Sequence, residues 1–398
     1  MELLRRSGVS EEVVMRSTRG AFKVASFRGI PIRLHYSLLL ALPLLTLVFG
    51  SVVRQAARTA SVPVELPGVV PFLWGLVVAV GLFASVLLHE MAHVFYALRT
   101  GGRVRSITLM IVGGVSEVTE LPRRHRDEVL MALVGPLTSV VLGVLLIGLL
   151  AVLPESRIFT PRFALSYLSG LNIFLGLFNL LPAFPMDGGR ILRGLLAGRM
   201  GLVRATRVAS GVGKGFAGLF FLVGLLTLNP FLFVIAFVVL TGAHAEAQQV
   251  RARAVLEKLR VEQVMTPRFH GVELDTSVAE ALADLHRARR PALPATEQDQ
   301  PVGWVEVAEL LRVPEPERAH RTVRELCRKA VVVSPEDDVW SAARRMVEAQ
   351  PPLLLVLERG RLVGTVDGND INAALALHQA SEEGRPGGWP RWRQERPA

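Results

Sequence analysis

Cysteine is almost absent: Cys327 is the only one in 398 residues. An intrachain disulfide is therefore excluded, and so is a zinc site built on several thiolates. Any bound metal must rely on imidazole and carboxylate groups. Charge is scarce too. Charged residues make up 20% of the chain against 51% hydrophobic residues, a balance too apolar for an ordinary soluble enzyme. Acidic residues are the smaller share of that charge, which leaves a formal net charge of +10. A basic balance can mark a nucleic-acid partner. Here the arginines flank apolar runs, the pattern of anchoring at a cytoplasmic membrane face, so a lipid partner is expected and nucleic acid is not. Residues 1–34 lack an early apolar core and a small-residue cleavage site, and are expected to form a cytoplasmic N-terminal segment rather than a signal peptide.

What is present is a series of apolar runs near residues 35–53, 69–98, 129–153 and 163–182. Each approaches or exceeds the roughly 20 residues that cross a bilayer. A fifth region, about 207–245, is interrupted at Asn229-Pro230 and is either one kinked span or a hairpin of two. Arg204, Arg207 and Lys214 precede it, and Arg251, Arg253, Lys258 and Arg260 follow it. Basic residues on both flanks favour the hairpin. The spacing predicts an α-helical polytopic membrane domain of about six transmembrane helices, multi-pass in the cell membrane with both termini cytoplasmic.

From about residue 258 the composition is that of a soluble α/β region with an internal repeat. Val278, Ala281, Pro291, Val302, Gly303 and Val305 match Val339, Ala342, Pro352, Val363, Gly364 and Val366, each pair 61 residues apart. Each copy reads as a helix, a strand, a turn, a second strand and a closing helix. The expected domains are 1–34, a membrane domain over 35–250, the tandem repeat over 258–378 and a disordered Arg/Pro-rich tail over 379–398.

His89-Glu90-Met91-Ala92-His93 fits H-E-x-x-H. Positions i and i+4 share a helix face, so both imidazoles can reach one zinc ion, and Glu90 can serve as general base toward a water at the metal. These are the strongly ionisable groups of the run 69–98, and the third and fourth runs contain none. Charges in a membrane helix are costly and mark function. A two-histidine site needs a third ligand. Asp187 is the candidate, in a segment where Pro182 and Pro185 unwind the fourth run and Gly188-Gly189 let the backbone turn. The plainer alternative makes Asp187 an N-cap of the next helix.

His89, Glu90 and His93, with Asn179, Pro182, Pro185, Asp187, Gly188 and Gly189, resemble the two motifs of the site-2 protease family of intramembrane zinc metalloproteases. The resemblance covers roughly residues 30–245. It implies one zinc per chain held by His89, His93 and Asp187, with Asn179 holding substrate backbone or an oxyanion. Gly113-Gly114 resembles the family's membrane-associated hairpin, which pairs with substrate, and Gly135-Pro136 a small-residue motif near the site.

The repeat resembles a pair of cystathionine-β-synthase (CBS) domains, through Val264-Met265-Thr266-Pro267 and Gly364-Thr365-Val366-Asp367-Gly368-Asn369-Asp370. The resemblance implies that Asp370 contacts a nucleotide ribose, with ATP, ADP or AMP as ligand. In the first copy Glu309 stands at the equivalent of Asp370, and Trp304 replaces the small hydroxyl residue. Two readings stay open for the pair: a nucleotide sensor, or a structural module that joins two chains in a homodimer. For the whole chain the expected function is hydrolysis of peptide bonds in transmembrane protein substrates; the alternative is a nucleotide-gated zinc or ion transporter.

Overall fold

A computed structural model describes residues 20–59, 66–111, 113–120, 125–152, 159–267, 271–288, 290–298 and 300–382. The chain divides into two units, the first ending at Val250 and the second starting at Arg251.

The first unit opens with a hairpin, β1 (Ala21–Phe27) and β2 (Ile30–His35). Arg28 and Gly29 form its two-residue turn, both at positive φ, the geometry that matches strand twist. The order continues α1 (Ser37–Thr59), α2 (Val70–Arg99), β3 (Arg103–Met110), β4 (Gly113–Glu120), α3 (His125–Val152), α4 (Phe159–Asn179), α5 (Asp187–Met200), α6 (Leu202–Thr227) and α7 (Pro230–Leu256).

Five of these helices, α1, α2, α3, α6 and α7, are long and apolar enough to cross a membrane. The 21-residue α4 is long enough but carries polar side chains that bond inside the bundle. Asn172 donates to Ser85 Oγ at 3.0 Å and to the Leu168 carbonyl at 2.8 Å, and Ser169 donates to the Gly143 carbonyl at 2.9 Å. The run at 207–245 is a hairpin of two helices. Leu228 adopts a left-handed conformation between them, and Pro230 starts α7. The pair is held by Ser210 Oγ donating to the Ala243 carbonyl at 2.7 Å and by the Phe221 and Phe233 rings, 5.3 Å apart.

The strands form one sheet in the order β1-β2-β3-β4, with β2 and β3 parallel and the outer pairs antiparallel. Ile30, Ile32 and Ile107 bury one face of this sheet against Val94 of α2. Residues 21–34 of the expected N-terminal segment thus pack as part of the first unit. Alternating Ile30 and Ile32 supply an apolar face that the basic composition of the segment hides.

The second unit contains α8 (Val261–Val264), β5 (Val272–Glu273), α9 (Val278–Ala288), β6 (Ala292–Glu297), β7 (Gln300–Glu306), α10 (Val307–Leu310), β8 (Arg328–Lys329), β9 (Val332–Val333), α11 (Val339–Ala349), β10 (Leu353–Glu358), β11 (Arg361–Asp367) and α12 (Gly368–Glu382). The repeat read from sequence is exact in structure. β6 and β10, β7 and β11, and α9 and α11 begin and end 61 residues apart. Gln298 and Arg359 take the same left-handed turn. Both helices start on a side-chain cap, Ser277 with Glu280 in one and Asp338 with Ser341 in the other. The copies share an apolar seam of Ala292, Trp304, Leu353 and Leu355. Residues 379–382 continue α12, and the rest of the expected tail lies outside the described residues.

Candidate active site

α2 carries His89 and His93 one helical turn apart on its buried face. After Asn179 the chain leaves helical geometry through Pro182 and Pro185, then re-enters it at Asp187, the first residue of α5. Met186 occupies the N-cap position, so Asp187 does not cap the helix, and Gly188-Gly189 lie inside its first turn. A carboxylate there is stabilised by the helix N-terminus. The three donor atoms converge. Asp187 Oδ2 is 3.1 Å from Nε2 of His89 and 3.1 Å from Nε2 of His93, and the two nitrogens are 3.2 Å apart.

The outer ring nitrogens are held as well. His93 Nδ1 lies 2.6 Å from the Met131 carbonyl, and His89 Nδ1 lies 2.9 Å from Ser139 Oγ. A carbonyl only accepts, so the proton of a neutral His93 is on Nδ1 and its Nε2 presents a lone pair. That lone pair then faces a carboxylate oxygen, an arrangement that repels unless a metal ion or a second proton on Nε2 sits between them. Ligands about 2.0–2.1 Å from a tetrahedral zinc lie about 3.3 Å from one another, close to the observed triangle. Gly135 of α3 makes room: a Cβ there would overlap the rings of His93 and His89. The nitrogen and oxygen donors, their spacing and their outer partners fit zinc.

Glu90 follows His89 and is half-buried. Its Oε2 accepts a hydrogen bond from Ser116 Oγ of β4 at 2.7 Å. Gly114, two residues earlier, packs against it so closely that a Cβ would overlap Glu90 Cγ. Gly113 begins β4 with φ +134°, a conformation that favours glycine. Asn179 is not drawn into this cluster by any hydrogen bond of its amide nitrogen, which donates to the Leu175 carbonyl of its own helix at 2.9 Å.

A second charged cluster braces the same helices. Arg193 of α5, 5% exposed, donates from Nε to Glu128 Oε1 of α3 at 2.7 Å and from a terminal nitrogen to Glu246 of α7. Its guanidinium also stacks 5.3 Å from the Phe184 ring, in the irregular segment before Asp187. In the second unit, Asp370 lies in a separate polar cluster. It accepts from Thr266 Oγ1 at 3.1 Å and from the Asp367 backbone N–H at 3.0 Å. Arg290 donates to Thr266 and to Thr365. Burial pushes the Asp370 carboxyl up from its usual range, and the neighbouring Asp367 adds to this, against the opposite pull of its hydrogen bonds and of Arg290.

Residues 77–164 and 158–225 match peptidase family M50, and residues 261–315 and 323–377 each match the CBS domain. A zinc metalloprotease of Methanocaldococcus jannaschii is 31% identical over 364 residues, covering 91% of this chain and 98% of that protein. The chain belongs to peptidase family M50. Rip3 of Mycobacterium tuberculosis, another protein bearing a zinc metalloprotease name, is 28% identical over 92% of this chain and 95% of its own length. A solved site-2 protease from M. jannaschii is 32% identical, covers 57% of this chain and 95% of its own, and superposes with a TM-score of 0.42.

Membership of M50 across this length leaves the transporter alternative unsupported. In this M50 peptidase the sequence motifs announce His89, Glu90, His93 and Asp187 but not their supports. Ser139 and Met131 share α3 with the Gly135-Pro136 pair, which was the one available pointer. Arg193, Glu128 and Glu246 are ionisable groups beside apolar runs, where a charge is costly unless it is paired.

Proposed function

We propose that this M50 peptidase is an intramembrane zinc metalloprotease that cleaves membrane-spanning protein substrates, with zinc held by His89, His93 and Asp187. The observation that carries this is the convergence of three donor atoms 3.1–3.2 Å apart, two of them on α2, a helix of membrane-crossing length, and the third from the first turn of α5. Zinc bound there would supply Lewis acidity, polarising a peptide carbonyl and making water a nucleophile near neutral pH. Glu90 takes the proton of the attacking water and passes it to the departing amine nitrogen. The Met131 carbonyl keeps the His93 imidazole in the tautomer that turns the Nε2 lone pair inward, and Ser139 Oγ holds the orientation of the His89 ring. β4 pairs with β3 on one edge only among the described residues. A locally unwound substrate adds as a strand on its other edge, at Gly113 and Gly114, which satisfies the backbone groups freed from the substrate helix. Asn179 sits at the end of α4 with one amide hydrogen bond in use, and turns toward substrate backbone when substrate is present.

The membrane is the cell membrane, with both termini on its cytoplasmic side, a reading supported by the basic residues that flank the α6–α7 hairpin. There the CBS pair binds an adenine nucleotide (ATP, ADP or AMP) through the cluster of Asp370, Thr266 and Arg290 and joins two chains as a homodimer. The test of the protease reading is a cleavage assay on a co-expressed single-span substrate, with zinc measured by elemental analysis of the purified protein. One zinc per chain and cleavage that stops in Glu90→Gln are expected; full cleavage by Glu90→Gln would overturn the mechanism.

A further inference from the structure

We propose that Ser116 is a positioning residue for Glu90, so that the general base is aimed by the same strand that receives substrate. This rests on the reading of Glu90 as the base. Ser116 and Gly114 are two residues apart in β4 and therefore share one face of the strand. That face is turned onto Glu90. The Ser116 hydroxyl donates to Oε2 at 2.7 Å, and the missing side chain at Gly114 lets the Glu90 stem lie against the strand.

The donor is fixed in the frame of the catalytic helix. Ser116 pairs across the sheet with Ile107 of β3, which is fully buried. Ile107 belongs to the apolar cluster that includes Val94, the residue after His93. β3 is paired on both sides, by β2 and by β4. The hydroxyl is thus tied through two strands to the helix that carries Glu90, although 26 residues separate the partners in sequence.

A glutamate on a helix has three side-chain torsions, and a half-buried one loses much of its rotamer freedom when it is pinned. A hydroxyl donating to a carboxylate makes a strong, short hydrogen bond. Holding Oε2 fixes the plane of the carboxylate and leaves Oε1 to take the proton of the attacking water. A base misplaced by about 1 Å loses on the order of a hundredfold in rate. Because β4 also offers the open edge of the sheet, a substrate strand that adds to that edge rigidifies the segment carrying the hydroxyl. Substrate engagement and the aim of the base are thereby one event rather than two.

The experiment uses the full chain in detergent with a single-span substrate, measuring kcat, KM and zinc content for Ser116→Ala, Ser116→Thr and Glu90→Gln. Ser116→Ala is expected to lower kcat about tenfold to a hundredfold with little change in KM. Zinc content stays at the wild-type level. Ser116→Thr keeps the hydroxyl on a residue well suited to a strand, and restores most of the rate. Substrate capture by Glu90→Gln is unchanged when Ser116→Ala is added, because the serine acts on the base and not on binding. A wild-type kcat in Ser116→Ala overturns the proposal, as does a loss that appears in KM or in zinc content, or one that Ser116→Thr fails to restore. Should Glu90→Gln stop cleavage while Ser116→Ala does not, only the role of Ser116 falls. Should Glu90→Gln still cleave, the base assignment falls and this proposal with it.

Discussion

In the membrane unit the polar groups that meet come from distant and unlike segments: His89 from the middle of a helix, and Asp187, 98 residues later, from the first turn after an irregular stretch. In the repeat unit they come from both copies of a duplicated scaffold, and the equivalent positions carry different side chains. At the 61-residue offset, Thr266, Arg290, Thr365 and Asp370 correspond to Cys327, Pro351, Trp304 and Glu309. The first four form a connected polar cluster. Of the second four, Trp304 is buried in the apolar seam, and Glu309 is engaged by Arg312 and Arg328. Duplication conserves backbone and lets chemistry drift, whereas the membrane unit breaks its backbone regularity to create chemistry at all.

The sharpest test of this contrast is made at the metal centre. Glu90→Gln keeps all three proposed ligands, and cleavage is expected to fall by about 10²–10⁴-fold at unchanged zinc content. Asp187→Ala should lower zinc content as well as cleavage, read by elemental analysis, while Asp367→Ala in the other unit leaves zinc at the wild-type level. Full zinc in purified Asp187→Ala would remove Asp187 from the ligand set.

Arg193 tests whether the membrane unit depends on its long-range polar ties. Arg193→Met removes the cation bonded to both Glu128 and Glu246 in a largely buried setting, leaving Arg190 as the remaining nearby positive charge. Breaking such an arrangement costs about 3–5 kcal/mol, to be measured as a loss of thermal stability in detergent. A melting temperature equal to wild type would mean that the cluster is solvated enough to dispense with the arginine.

The smallest effect belongs to the repeat. Asp370→Ala is expected to abolish nucleotide binding to the full chain in calorimetry, and Glu309→Ala to leave it intact. Binding should also weaken on acidification. A carboxylate must be ionised to accept ribose hydroxyls, and burial raises the pKa of Asp370, so affinity falls as pH drops through that raised pKa. Equal binding by the two variants would erase the distinction between the copies.

The sequence made some of this architecture legible because the relevant signals are local. H-E-x-x-H needs only the helical period, and the 61-residue repeat needs only a constant register. The Asn229-Pro230 break with its basic flanks favours a hairpin over one kinked span, and the structure has the separate helices α6 and α7 there. What stayed hidden is non-local. β1 and β2 lie within a segment that composition marks only as polar and basic, and the parallel pairing of Ile32 with Ile107 shows which face is buried. Glu128, Arg193 and Glu246 lie 65 and 53 residues apart, and no period connects them. Ser116 is an unremarkable strand serine until β4 is laid against α2.

Trp304 has a consequence for how the repeat responds to any small ligand. Its ring lies 5% exposed among Ala292, Leu353 and Leu355, at the position equivalent to Thr365. An indole packed into that seam leaves the first copy without the hydroxyl that Thr365 offers Arg290 in the second. With the Asp370 cluster as the one nucleotide site, a titration of one chain is expected to follow a single hyperbola, with an output graded in ligand concentration rather than stepped.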